Sequence, residues 1–189
     1  MQTTSTTEGK TAAKSTTWTI DTSHSSAAFS VRHLMITNVR GEFEKFTGSV
    51  NYDPAKPEAT TATASIDVAS ISTRDEKRDE HLRSADFFEA AKYPTLSFTS
   101  KAFRKGDKGL ELVGDLTIKE TTREVVLLVD GPTPEQVDPW GNVRIGASAH
   151  TKIKRSDFGI TWNTLLETGG ALVGDEISIT LDVSLIRQK

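Results

Sequence analysis

Cysteine is absent from the 189 residues. No disulfide, thiolate-bound zinc or thiol nucleophile can therefore be built, and composition carries no trace of a redox compartment. Long apolar runs are missing too: no stretch approaches the roughly 18 residues that cross a bilayer as a helix. The opening MQTTSTTEGKTAAKSTT has no apolar core of the secretory-leader kind, so the location expected from sequence is cytoplasmic. Charge of one sign is nowhere concentrated. The 23 Lys and Arg are interspersed with 26 Asp and Glu for a net charge of -3, which leaves no basic face for nucleic acid. Nucleophile elbow, P-loop and dinucleotide fingerprint are all lacking. The four histidines, His24, His33, His81 and His150, have none of the short spacings of a metal-binding pair, so no metal site is expected.

What the chain does contain is alternation. Residues 1–17 are Thr, Ser, Lys and Gly with almost nothing to bury, and read as a disordered tail before one domain over 18–187. From Trp18 the apolar residues recur at every second position. Ala27, Phe29, Val31 and His33 form one row; Val39, Gly41 and Phe43 form a second, and Phe46, Gly48, Val50 and Tyr52 a third. The phase change between Phe43 and Phe46 predicts a bulge or bend at Glu44 or Lys45. Ala62, Ala64, Ile66 and Val68 follow. Further on come Leu96, Phe98, Ser100 and Ala102, then Leu110 to Ile118, then Val143 to Ile153, and finally Ile177 to Leu185. The VVLLV stretch within 124–130 is apolar at consecutive positions, which predicts cover on both faces or one face against a helix.

One stretch breaks this rhythm. Over 74–92 a narrow apolar stripe runs among charges behind Thr73, the expected N-cap, with a break near Ser84; Pro94 then returns the chain to extended geometry. The pattern is an all-β, antiparallel barrel of about eight strands with one helical insert flanking whatever the strands enclose. Small residues on inward rows, among them Ala64, Ala102 and Ala149, would leave free volume along the axis.

The stretches WTIDTSHSSAAFSVRHLMITNVRGEFEKFTGSVNYD (18–53), SISTRDEKRDEHLRSADFFEAAKYPTLSFTS (70–100), VGDLTIKETTREVVLLV (113–129) and RSDFG (155–159) resemble the YceI-like family of lipocalin-like barrels. Many relatives carry a secretion signal, and often His-Gly or a similar pair where this chain has Lys119-Glu120. The resemblance implies a carrier for a long apolar ligand (a polyisoprenoid, an isoprenoid quinone or a fatty-acyl lipid) with no required cofactor. Candidate ligand contacts are Phe29, Val31, His33, Ala64 and Ile66 on early strands, and His81, Leu82, Phe87 and Phe88 on the insert. Phe98, Ala102 and Ala149 on later strands join them, with Phe158 and Trp162 near an opening. Arg155 is expected to grip a carboxylate and Asp157 to accept backbone N–H groups, tying down the loop that follows. Two other readings are an enzyme on a small apolar substrate, with His33 as general base beside Arg32 or Asp157, and a closed barrel that binds another protein. A homodimer is compatible with all three, although no heptad encodes it.

Overall fold

The computed structural model describes residues 16–167 and 170–189. Its strands are β1 (Thr16–Ile20), β2 (Ser26–His33), β3 (Thr37–Phe43), β4 (Phe46–Tyr52), β5 (Thr61–Asp67), β6 (Ile71–Ser72), β7 (Thr95–Gly106), β8 (Gly109–Ile118), β9 (Thr121–Asp130), β10 (Gln136–Val137), β11 (Val143–Lys154) and β12 (Val173–Arg187). One helix, α1 (Glu76–Arg83), lies between β6 and β7. The tail expected over 1–17 lies outside the described residues except at its end. Thr16 and Thr17 pair with Tyr52 and Asn51, so β1 begins two residues earlier than the apolar pattern suggests; β-branched threonines suit a strand as well as a tail.

All pairings are antiparallel, and the order β11-β9-β8-β7-β5-β4-β1-β12 closes through a β11–β12 ladder from Arg144↔Ile186 to Lys154↔Glu176. The result is a closed eight-stranded barrel. Closure satisfies edge groups that an open sheet would leave unpaired. Beyond β1, the strands β2, β3 and β6 continue the lines of β1, β4 and β5. β12 pairs with β1 near Leu185 and with β2 from Asp182 onward. Each of these three lines is therefore one staved element broken once.

The breaks are local and lie side by side. A 3-10 turn over Thr22–His24 separates β1 from β2, with the Asp21 side chain accepting from Ser23 N–H at 3.1 Å. The expected bend at Glu44 and Lys45 separates β3 from β4, and a second 3-10 turn over Val68–Ser70 separates β5 from β6. Glu44 N–H donates to Ser70 O at 3.1 Å and Asp67 N–H to Lys45 O at 2.9 Å, so the second and third breaks form one crease.

Helix α1 is shorter than the 74–92 insert expected from its stripe. Asp75, not Thr73, is the N-cap, accepting from Arg78 N–H at 3.0 Å. Thr73 is buried instead, where it donates to the Asp79 carboxylate and accepts from Arg78 Nε. The helix ends at Ser84, whose hydroxyl donates to His81 O at 2.7 Å and so competes with continuation of the backbone ladder. Residues 85–94 then fold as turns that carry Phe87 and Phe88 inward.

Two apolar clusters mark the two ends. Beside α1, Phe43, Val68, Ile71, Phe87, Leu96, Ile118, Val125, Phe158 and Ile160 are buried together; at the other end Trp18, Ile145 and Leu185 form a second cluster. Full burial of each such side chain contributes about 1.5–3 kcal/mol. The VVLLV strand is covered on one face only. Val125, Leu127 and Val129 point to the interior, where Val125 is buried in one cluster with Phe87 of the insert, while Val126 is 38% exposed on the other face.

Candidate functional site: an apolar cavity

Between the two clusters the barrel encloses a cavity of about 330 Å³, walled almost entirely by apolar atoms. This is near the lower end of the range for small-molecule pockets. Alternation produces it. β2 contributes Ala27, Phe29 and Val31, β5 contributes Ala62, Ala64 and Ile66, and β11 contributes Ile145, Ala147, Ala149 and Ile153. The alanines stop short of the axis, and beside them stand the larger rings of Phe29, Phe98 and Phe103. Leu82, Phe87 and Phe88 close the α1 end over an aromatic chain in which Phe43 stands 5.8 Å from Phe29 and 5.9 Å from Phe88, centre to centre. These tilted and edge-on contacts suit the ring quadrupoles.

Among the candidate contacts, Phe29, Val31, Ala64, Ile66, Leu82, Phe87, Phe88, Phe98 and Ala149 meet in this cavity. The other candidates lie elsewhere. His33 is the last residue of β2, paired with Thr37 and Val173, and does not itself line the cavity. His81 stands on α1 with its ring edge-on to Phe87 and Trp162 and Nε2 at 2.8 Å from Asp86 Oδ2, so it props the aromatic cap from outside. Trp162 shares that prop, and Phe158 is core. Ala102 is displaced by a bulge: β7 slips between Ser100 and Ala102 against β8, which turns Phe103 inward and Ala102 out, opposite Val113. A signal for this was present, since Phe103 is out of phase with Phe98 just as Phe46 is with Phe43.

Arg155 reaches the cavity wall, but not by gripping a carboxylate. Its guanidinium donates to four backbone carbonyls, those of Gly174 (2.9 Å), Ile160 (3.0 Å), Trp162 (2.8 Å) and Val173 (3.3 Å). Burial pulls it below the ordinary guanidinium value, partly offset by Asp175. The loop-tying role expected of Asp157 falls to Asp175, whose carboxylate accepts from Ser156 N–H at 3.0 Å and Ser156 Oγ at 2.8 Å. Partial desolvation raises its carboxyl, yet those bonds from Ser156 and the nearby Arg155 and Lys154 bring it below its usual range. The segment after β11 is thus pinned from beneath, with Asn163 further bonding Val173 through both its N–H₂ and its carbonyl.

At the opposite end Arg144 joins two elements, donating to Asp21 Oδ2 at 2.6 Å and Asp138 Oδ2 at 2.7 Å. Hydrogen bonds from Ser23, Arg144 and His24 hold the Asp21 carboxyl well below the usual carboxylate range. Burial alone would raise Asp138, but bonds from Arg144, Asn142 and the Trp140 N–H outweigh it and hold that group low as well.

A closed antiparallel barrel around an apolar interior, with aromatic rings over one end, defines the lipocalin-like barrel class. The chain belongs to the YceI-like family, whose domain matches residues 18–185. A UPF0312 protein of Vibrio cholerae is 39% identical over 152 residues, 79% of this chain and 80% of that protein. Protein YceI of Escherichia coli is 35% identical over 170 residues, covering 88% and 83%. Among solved structures, the Campylobacter jejuni YceI protein is 34% identical with a TM-score of 0.69, covering 84% of this chain and 90% of that one. A polyisoprenoid binding domain from Saccharophagus degradans shares the fold at 14% identity, with a TM-score of 0.63 and 93% and 100% coverage.

Proposed function

We propose that this protein binds and carries a long apolar molecule of the polyisoprenoid, isoprenoid quinone or fatty-acyl class within its barrel. The observation that supports this most is the cavity: about 330 Å³ walled by side chains from nearly every strand, in which the one charged residue, Arg155, already spends its donors on four carbonyls. An apolar chain gains about 0.8 kcal/mol for each CH₂ it buries there, so a long ligand needs little polar recognition. The Saccharophagus degradans domain of the same fold, a polyisoprenoid binding domain, favours the same class. The enzyme reading is weaker because His33, its general base, does not line the cavity.

Native mass spectrometry of protein purified under mild conditions, followed by organic extraction, tests the proposal. A co-purifying prenyl or acyl lipid that a fluorescent long-chain probe displaces with one-to-one stoichiometry is the expected result. Protein that is ligand-free and takes up neither prenyl nor acyl probes would remove it.

A further inference from the structure

The end of the barrel away from α1 has a polar corner in its apolar floor. Trp18 on β1 stands directly opposite Val50 of β4 on one side and Arg187 of β12 on the other. Its indole is 1% exposed and packs with Ile145 and Leu185. Val50, Ile145 and Leu185 all line the cavity, so Trp18 and Arg187 form the next layer below it. The Arg187 guanidinium carbon lies 4.9 Å from the centre of the Trp18 ring.

Among the described residues, the buried side-chain nitrogens and oxygens with no hydrogen-bond partner are two: Trp18 Nε1 and Arg187 Nε. They occupy the same corner. Both carry N–H groups and neither can accept, so they cannot satisfy one another. A single oxygen with two lone pairs answers both. The charge on that oxygen is constrained by a third residue, because Arg187 Nη2 already donates to the Glu135 carboxylate. A second anion placed here would face Glu135 as a like charge, whereas a neutral carbonyl would not.

We propose that the Trp18–Arg187 corner is a polar subsite that receives an uncharged carbonyl oxygen at the head of the ligand, with the tail running up the cavity toward Phe29, Phe98 and Phe88. This rests on the carrier reading and adds to it a ligand orientation and a head-group class: quinone, ketone, ester or amide ahead of carboxylate or phosphate.

The test uses the full chain and three probes: a saturated isoprenoid methyl ketone, the hydrocarbon of the same length, and the corresponding carboxylate. The hydrocarbon reports on the carrier reading alone. The wild-type protein is expected to bind the ketone roughly tenfold more tightly than the hydrocarbon, and the carboxylate no better than the ketone. Trp18→Phe, which keeps a ring but loses the N–H, should remove most of that preference while leaving hydrocarbon affinity in place. Arg187→Met gives the same reading should Trp18→Phe fail to fold. Amide-type NMR of the wild-type indole N–H groups needs no variant, and the Trp18 resonance should move downfield with ketone and stay put with hydrocarbon. Equal binding of ketone and hydrocarbon with an unmoved indole resonance overturns the subsite and leaves the carrier intact; so does a preference that survives both substitutions. Binding of none of the three probes overturns both.

Discussion

The eight lines of the barrel are built in two ways. Five are single strands of 10 to 15 residues, β7, β8, β9, β11 and β12, and the other three are broken in the middle, as β1 with β2, β4 with β3 and β5 with β6. The continuous wall is held by long ladders such as β11–β12 and β8–β9, with one bulge between Ser100 and Ala102 of β7. The broken wall gives up ladder hydrogen bonds at its crease, recovers them through Asp21, Ser70 and the 3-10 turns, and in return diverges enough for α1 and its aromatic residues to enter beside β6. A barrel that must close at one end around its own insert and still keep an open axis needs both.

Four measurements would sharpen or break this contrast. The largest loss of stability is expected at Arg155→Met, which removes the donor shared by four carbonyls where β11 gives way to its pinned loop. About 3 kcal/mol should be lost in chemical denaturation, with faster amide exchange at Val173 and neighbouring residues. Next, a methyl group added at Gly114 in the continuous wall should cost more than one added at Gly41 in the broken wall. At Gly114 a Cβ would meet the Thr99 carbonyl oxygen at 2.5 Å, a backbone atom locked in the β7–β8 ladder. At Gly41 it would meet the Phe29 ring at 2.4 Å and the Thr73 methyl at 2.8 Å, both side chains. Gly114→Ala should therefore cost about 2–3 kcal/mol and Gly41→Ala about 1 kcal/mol; the reverse order in thermal melts would refute the contrast.

A third measurement is pH. Asp21 and Asp138 titrate lower folded than unfolded, so their stabilisation is complete above the unfolded carboxylate range near pH 4 and is lost as pH falls through the depressed folded values. Asp138→Asn should be less stable at neutral pH and lose less on acidification below about pH 4, as followed by urea midpoints. The smallest stability change is expected at Ala149→Phe. Its ring would enter open cavity, abolishing probe uptake while shifting the melting temperature by less than the several degrees of an overpacked core. Ala102→Phe, on the outer face, should leave uptake unchanged.

Most of the architecture was legible because alternation has a period of two and survives in the apolar residues of every line. The bend at Glu44–Lys45 showed itself as a phase change, since both flanking residues, Phe43 and Phe46, are large and inward. The bulge at Lys101 escaped because Ser100 and Ala102 are small enough to read as inward residues whichever way they point. Of the site, the aromatic and alanine wall could be read from the pattern. His33 and His81 stand off the cavity wall: His33 is the last residue of β2, and His81, within α1, packs its ring on Phe87 and Trp162. Arg155 was visible as an anchor, but its partners are carbonyls, and a carbonyl belongs to every residue and marks none. The Trp18–Arg187 corner depends on a cross-strand register between the first and last strands, which no local pattern encodes.

β12 completes both seams, against β11 from Glu176 to Ile186 and against β1 and β2 on its other side. The bond from Gln188 Nε2 to Thr19 Oγ1 joins positions 169 apart in the chain. In kinetic terms, the enclosed interior is a late product of folding: each of the eight lines can pair with the next as a meander, but the wall stays open until the last strand arrives and pairs on both sides. Such distant closure places the folding rate among those of slow β topologies, and the unsealed sheet presents two bare edges in the interval. Refolding yield is therefore expected to fall with rising protein concentration, and substitutions along β12 to weigh more on that yield than equally buried ones on β8.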